Sequence, residues 1–329
     1  MASISQSVFP FIVGCGRSGT TLLRSMFDSH RDMAIPPDTY FVLRLAANRR
    51  RYEQSDGFAT ELFLDDLGRT GGFERMGIPS DALRESIRVQ PPETYTAAIR
   101  SVYHEYASSR EKTRYGDKTP IYILHLPLLS SLFPEAKFVH IIRDGRDVTR
   151  SFMDGGWTER IEDGALYWKL QVRRGRSAGS RLGPGRYREV RYEELVDDPA
   201  SVLSSLCSFL DLEYDPQMLS YQETAHRWAS ASRDPNRHRN LLREPTKGLR
   251  DWRTQMSPAE LAVAEYLIGD LLSELGYELG ATPSRSFAMD ARRKWLGWQA
   301  RRVIRRGRRS LPGGARVDKG PAMAGRQGN

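Results

Sequence analysis

Residues 13–21 read V-G-C-G-R-S-G-T-T. Gly14 and Gly19 have the spacing of a phosphate loop, G-x-x-x-x-G-K-[ST]. In such a loop, backbone N–H groups at a helix N-terminus cradle an anion. Thr20 stands where that loop carries lysine, and the cation comes three positions earlier, as Arg17. Its guanidinium is a planar, permanently charged fork suited to phosphate or sulfate oxygens. Thr20 and Thr21 add hydroxyl donors. The lysine that bridges terminal phosphates is missing, and no convincing acidic strand end for Mg²⁺ follows. A phosphorylated anion held without a metal therefore fits better than ATP. Ordinary Ser/Thr capping of a helix is the plain alternative.

The elements around the loop supply the context it needs. Residues 8–13, V-F-P-F-I-V, form a short apolar run ending in glycine, the pattern of a buried parallel strand. Leu22, Leu23, Met26 and Phe27 follow at helical spacing. Residues 40–110 read as a helical insertion, broken by Gly68, Gly71, Gly72, Pro79, Pro91 and Pro92. R-Y-G-D-K at 114–118 precedes a helix opened by Pro120 and expected to run to about Leu132. K-F-V-H-I-I at 137–142 and Y-R-E-V-R at 187–191 read as further strands. Helices are expected over 146–154, 163–178, 199–210 and 258–276. Strands alternating with helices predict an α/β fold: a P-loop-like central parallel sheet flanked by helices, with residues 40–110 capping the substrate side. Residues 1–289 form one domain on this reading. A basic helix and a Gly/Pro-rich, disordered tail over 290–329 follow it.

Bulk properties narrow the classes. The 329 residues are 39% hydrophobic and carry a net charge of +9. Residues 290–329 hold 12 Lys/Arg against two Asp, and the preceding 289 residues hold 38 against 39 Asp/Glu. The body is neutral, so no nucleic-acid partner is expected for it. Two cysteines, Cys15 and Cys207, make no disulfide framework or zinc cluster. Neither a membrane span nor a signal peptide is expected, which predicts a cytoplasmic protein.

Four segments together carry a family resemblance. G-R-S-G-T-T-L-L at 16–23, followed by Asp28 and His30, resembles the sulfotransferases that use 3′-phosphoadenosine-5′-phosphosulfate, PAPS. The arginine form of the loop is most similar to the branch containing bacterial enzymes and the tyrosylprotein sulfotransferases. Lys118-Thr119-Pro120, F-V-H-I-I-R-D-G-R-D-V-x-x-S-F at 138–152 and R-Y-E-E-L-V-x-D-P at 191–199 follow in family order, over roughly residues 8–275. The resemblance implies that Gly16, Arg17, Ser18, Gly19, Thr20 and Thr21 cradle the 5′-phosphosulfate. Arg143 and Ser151 would hold the 3′-phosphate, Tyr192 would lie near the adenine, and Lys247 would cover the 3′-phosphate. No metal is required. For Arg143, an ion pair with Asp144 or Asp147 competes with this role. Arg146 and Asp147 are read as serving the fold.

Sulfuryl transfer to a hydroxyl needs cations on the transferring group and a base for the acceptor proton. The resemblance gives Arg17 and Lys118 as the cations. For the base, the glutamate-threonine pair of the tyrosylprotein branch matches Asp38-Thr39 in I-P-P-D-T-Y, one methylene shorter. Asp38 could equally cap a helix at 40–48. His125, in H-L-P, is the rival base, although its spacing places it inside the helix opened by Pro120.

The acceptor face is expected from residues 40–110 and 153–168, including Trp157, Tyr167 and Trp168. A carbohydrate, glycolipid or small metabolite is the expected acceptor. The tail at 292–309 carries nine basic residues with Trp295 and Trp298 among them. It suits a helix at an anionic surface, here the inner membrane, as well as a solvated or RNA-contacting tail. An ATP-dependent small-molecule kinase and a non-catalytic peripheral membrane protein are the alternatives to the transferase.

Overall fold

The computed structural model describes residues 8–223 and 251–280. Lys247 and the basic segment at 292–309 lie outside these residues. The opening apolar run forms strand β1 (Pro10–Gly14), buried along its whole length. Three more strands complete a parallel sheet: β2 (Asp117–Lys118) and β3 (Lys137–Ile142) pair with β1, and β4 (Tyr187–Arg191) pairs with β3. Their order is β2-β1-β3-β4. The register sets Ile12 beside Lys118, Gly14 beside Ile141, and Ile142 beside Arg191.

Alternation along β1 serves two cores. Phe9, Phe11 and Val13 face a cluster with Phe41, Tyr103, Tyr122 and Phe138. Ile12 joins Leu23, Phe27, Val139, Ile141 and Leu206 on the opposite face. That second face is covered by α1 (Thr20–Asp28) and by a helix at Pro199–Phe209. Between Tyr40 and residue 110 the chain runs in short helices, ending in α2 (Tyr95–Ser108), as the scattered glycines and prolines predict. After β3 come α3 (Gly145–Asp154) and α4 (Ile161–Leu182), which pack with the helix Pro258–Glu274 around Trp168 and Trp252. The fold is mixed α/β with a central parallel sheet flanked by helices.

Two expectations are corrected. The helix expected over 120–132 is a 3₁₀ segment, Pro120–His125, followed by an α-helix, Leu126–Leu132. His125 leaves the helical region between them (φ −129°, ψ 19°). Pro127 has no N–H to continue the ladder, so the chain restarts its helix there. Helix α4 is also longer than the expected 163–178, and it extends to Leu182 before Gly183 turns it (φ 76°). Among the described residues, no helix is long and apolar enough to cross a membrane.

Candidate active site

Each strand hands a candidate residue to the same edge of the sheet. The loop 14–19 leaves β1, Lys118 ends β2, Arg143 follows β3, and Tyr192 follows β4. In open parallel sheets, ligands bind in this crevice beyond the carboxyl ends of the strands.

The loop leaves the α1 N-terminus open to an anion. Gly19 is its N-cap in the left-handed region (φ 93°, ψ 8°), with no side-chain cap bond. The Ser/Thr-capping alternative therefore does not hold here. The first-turn amides and the positive end of the helix dipole point out of the helix without a side-chain cap. Arg17 itself is left-handed (φ 71°), a conformation that costs a non-glycine residue about 1 kcal/mol or more and clusters at functional sites. A Cβ on Gly19 would lie 2.3 Å from Tyr192 Cδ2, so the Tyr192 ring lies directly on the loop.

Arg17 and Ser151 meet. The Arg17 Nε–H donates to Ser151 Oγ at 2.8 Å, and the guanidinium sits 6.0 Å from the Trp157 ring centroid. Trp157 stacks on Phe152 and reaches over Gly16. Arg143 lies 4.4 Å from the Tyr192 ring centroid and pairs with Asp147 at 3.2 Å. The ion pair set against its ligand role is thus present, and the same guanidinium faces Tyr192. Asp147 accepts the Trp252 N–H at 2.9 Å. Burial pushes its carboxyl up to about 6 against the pull of Arg143. Arg146 is buried, paired with Asp144 and Glu265 and stacked on Trp252, so it serves the fold. Trp168, expected on the acceptor face, is fully buried and donates its Nε1–H to the Arg143 carbonyl at 3.1 Å. It supports the site from behind because its ring fills the space beside Gly145.

Asp38 and Lys118 form an ion pair at the end of β2, and Lys118 Nζ lies 3.4 Å from Thr21 Oγ1. The Lys118 side chain is nearly enclosed, at 5% exposure, whereas Asp38 retains 27%. The Tyr40 hydroxyl donates to the other Asp38 oxygen at 3.1 Å, and the Arg75 guanidinium donates twice to the Asp38 carbonyl. The helix that follows, Phe41–Ala46, has Tyr40 as its N-cap and no side-chain cap bond, so Asp38 does not cap it. His125 sits half-buried at the junction of its two helical segments. Asp28 and His30 are buried and brace the loop after α1. Asp28 accepts the Ile35 N–H and pairs with Arg24, and His30 bridges the Glu213 carbonyl and the Asp32 N–H.

Three residues were absent from the sequence-based set: Asp117, Tyr40 and Arg75. Asp117 is fully buried and takes Thr39 Oγ1 at 2.7 Å, Tyr103 Oη at 2.6 Å and Thr119 Oγ1 at 3.3 Å on one oxygen. Burial pushes this carboxyl up to about 6 despite the three donors. The available signal was its place beside Lys118 in a strand, where neighbours point to opposite faces.

Residues 11–216 match the model of the sulfotransferase family. The chain is similar to the nodulation protein NoeE of Sinorhizobium fredii, 26% identical over 344 residues that cover 93% of this chain and 76% of NoeE. It is also similar to protein-tyrosine sulfotransferase 1 of Homo sapiens, 25% identical over 282 residues that cover 83% of this chain and 70% of that protein. The sulfotransferase domain of the Synechococcus PCC 7002 olefin synthase shares the fold, with a TM-score of 0.64 at 23% identity, over 84% of this chain and 97% of that domain. With the family model spanning the strands, the loop and the helices that build this crevice, the chain belongs to the sulfotransferase family and is a sulfotransferase enzyme.

Proposed function

We propose that this enzyme transfers a sulfuryl group from PAPS to a hydroxyl of a carbohydrate, glycolipid or small metabolite, with Asp38 as the base. The observation that carries the reading is the Asp38–Lys118 pair set against Thr21 at the uncapped start of α1. The residues fit the donor. Ser18 Oγ is buried in the loop with no hydrogen-bond partner among the described residues, and Gly19 leaves the Tyr192 ring flush with the loop. Backbone amides of 16–21, with Arg17, suit the 5′ end, and Arg143 and Ser151 suit the 3′-phosphate that sets PAPS apart from ATP.

PAPS supplies an activated sulfuryl group whose sulfur–oxygen bond to phosphate breaks as the bond to the acceptor oxygen forms. The chain's own residues do the rest. Asp38, ionised beside Lys118, takes the acceptor proton. Arg17 and Lys118 hold charge that develops on the oxygens around the transfer. Tyr40 and Arg75 keep the Asp38 carboxylate and its backbone in place. The half-buried faces of Tyr40 and Trp157 beside the two charged groups suit the flat, apolar side of a sugar or a phenol.

Thermal stabilisation by 3′-phosphoadenosine-5′-phosphate (PAP) without Mg²⁺, measured beside ATP with Mg²⁺, tests the donor. A shift with PAP alone is expected. A shift with ATP alone would replace this reading with the kinase.

A further inference from the structure

We propose that Asp117 is a positioning residue that sets the Asp38–Lys118 pair from the far side of the sheet; this rests on the function proposed above. Lys118 and Asp117 are consecutive in β2, so the lysine faces the site and the aspartate faces the core. From the core, Asp117 holds the hydroxyls of Thr39, Thr119 and Tyr103 on a single oxygen. Thr39 immediately follows Asp38, and Thr119 immediately follows Lys118. The Thr39 N–H donates to Thr119 Oγ1 at 3.2 Å, which ties the two segments directly. Tyr103 adds the anchor of α2, and its hydroxyl also lies 3.0 Å from Thr39 Oγ1.

The opposite side of the Asp38-Thr39 strap is closed as well. A Cβ on Gly72 would lie 1.6 Å from the Thr39 carbonyl oxygen, so the helix Gly71–Glu74 presses on the strap there. The strap is gripped between this helix and the Asp117 hub, and Asp38 is the residue displayed at its edge. A shift of about 1 Å in a reacting group can lower a rate by about a hundredfold. The hub is placed to prevent that shift while touching neither acceptor nor donor.

Asp117→Ala and Thr39→Val are compared with the wild-type enzyme. PAP release from PAPS is followed with the best acceptor among a phenol, a hexose and an alkyl alcohol. The expected result is a kcat at least about tenfold lower in each, with PAP affinity within about twofold, because the loop and α3 lie outside the hub. The double variant should be no slower than the slower single variant, since the two act as one unit. A purely structural role would lower the melting temperature and leave kcat per PAP-binding site unchanged, and that result overturns the proposal. Thr39→Val keeps the side-chain shape, so it carries the test if Asp117→Ala does not fold. If the wild-type enzyme neither binds PAP nor consumes PAPS, the donor reading falls and this proposal falls with it. If the wild type turns over and Thr39→Val does too at full rate, only this proposal falls.

Discussion

The Arg17 guanidinium and the Ser151 hydroxyl, 134 positions apart in sequence, share a 2.8 Å hydrogen bond. The bond joins the loop after β1 to helix α3, the two elements offered for the 5′ and 3′ groups of the donor. Both side chains are therefore gathered at one place by the fold. Ser151→Ala and Arg17→Lys should each weaken PAP binding by about tenfold, the value of one hydrogen bond to a charged group. Arg17→Lys keeps the charge and loses the fork. Calorimetric titration with PAP checks both variants, and unchanged affinity would separate these side chains from the donor.

Gly19 gives a second, sharper test. A methyl at this position meets both the left-handed backbone and the Tyr192 ring. Gly19→Ala should lower stability by about 1–3 kcal/mol and abolish the PAP-induced thermal shift. Tyr192→Leu should weaken PAP binding with a smaller stability loss. Denaturant unfolding and thermal shift of the two variants, side by side, measure the difference.

The strands and the loop were legible because their signals are local. An apolar run ending in glycine forms β1, and K-F-V-H-I-I forms β3 with the expected bounds. Arg17 and Lys118, offered as cations through the resemblance, both lie at the carboxyl end of the sheet, Arg17 in the loop after β1 and Lys118 at the end of β2. Hidden from sequence was whatever depended on a distant partner. Trp168 was expected on the acceptor face, whereas α4 turns it onto the Arg143 carbonyl. Asp117 lay unremarked in R-Y-G-D-K, because its donor Tyr103, 14 positions away, meets it only in the core. The break at His125 follows from Pro127, whereas the helix opened by Pro120 was expected to run on to about Leu132.

His140 predicts an acid-sensitive fold. It is fully buried, its Nδ1 lies 2.6 Å from the Tyr187 hydroxyl, and that hydroxyl donates to Glu189. Burial pushes the imidazole down from 6.5 to about 3. Between these values the unfolded chain binds the proton and the native chain does not. The contribution of His140 is therefore complete above about pH 6.5 and is lost as pH falls toward 3. Asp117 and Asp147, raised from 3.8 to about 6, act with the opposite sign: their contribution falls as pH rises through that window. Wild type should lose about 2 kcal/mol more than His140→Gln between pH 7 and pH 4.5. Urea unfolding at the two pH values reads this difference, and parallel losses in the two proteins would remove His140 as the cause.

The choice of base is decided by Asp38→Asn against His125→Ala. Asp38 has one oxygen on Lys118 and the other on Tyr40, and its side chain is still 27% exposed at the mouth of the crevice. A proton acceptor there needs charge, access and a fixed orientation, and Asp38 has all three. His125 lies where the 3₁₀ segment ends and the next helix begins, a position set by Pro127 rather than by the crevice. Asp38→Asn removes the charge at constant shape, so kcat should fall by about 10²–10⁴ with PAP affinity retained. His125→Ala should keep kcat within a few-fold of wild type. Lys118→Ala should lower kcat and also free Asp38 from its partner, so its loss combined with Asp38→Asn should be less than additive. If Asp38→Asn turned over at the wild-type rate while folded His125→Ala did not, the proton would leave through the histidine, and the ion pair at the end of β2 would be a structural clasp.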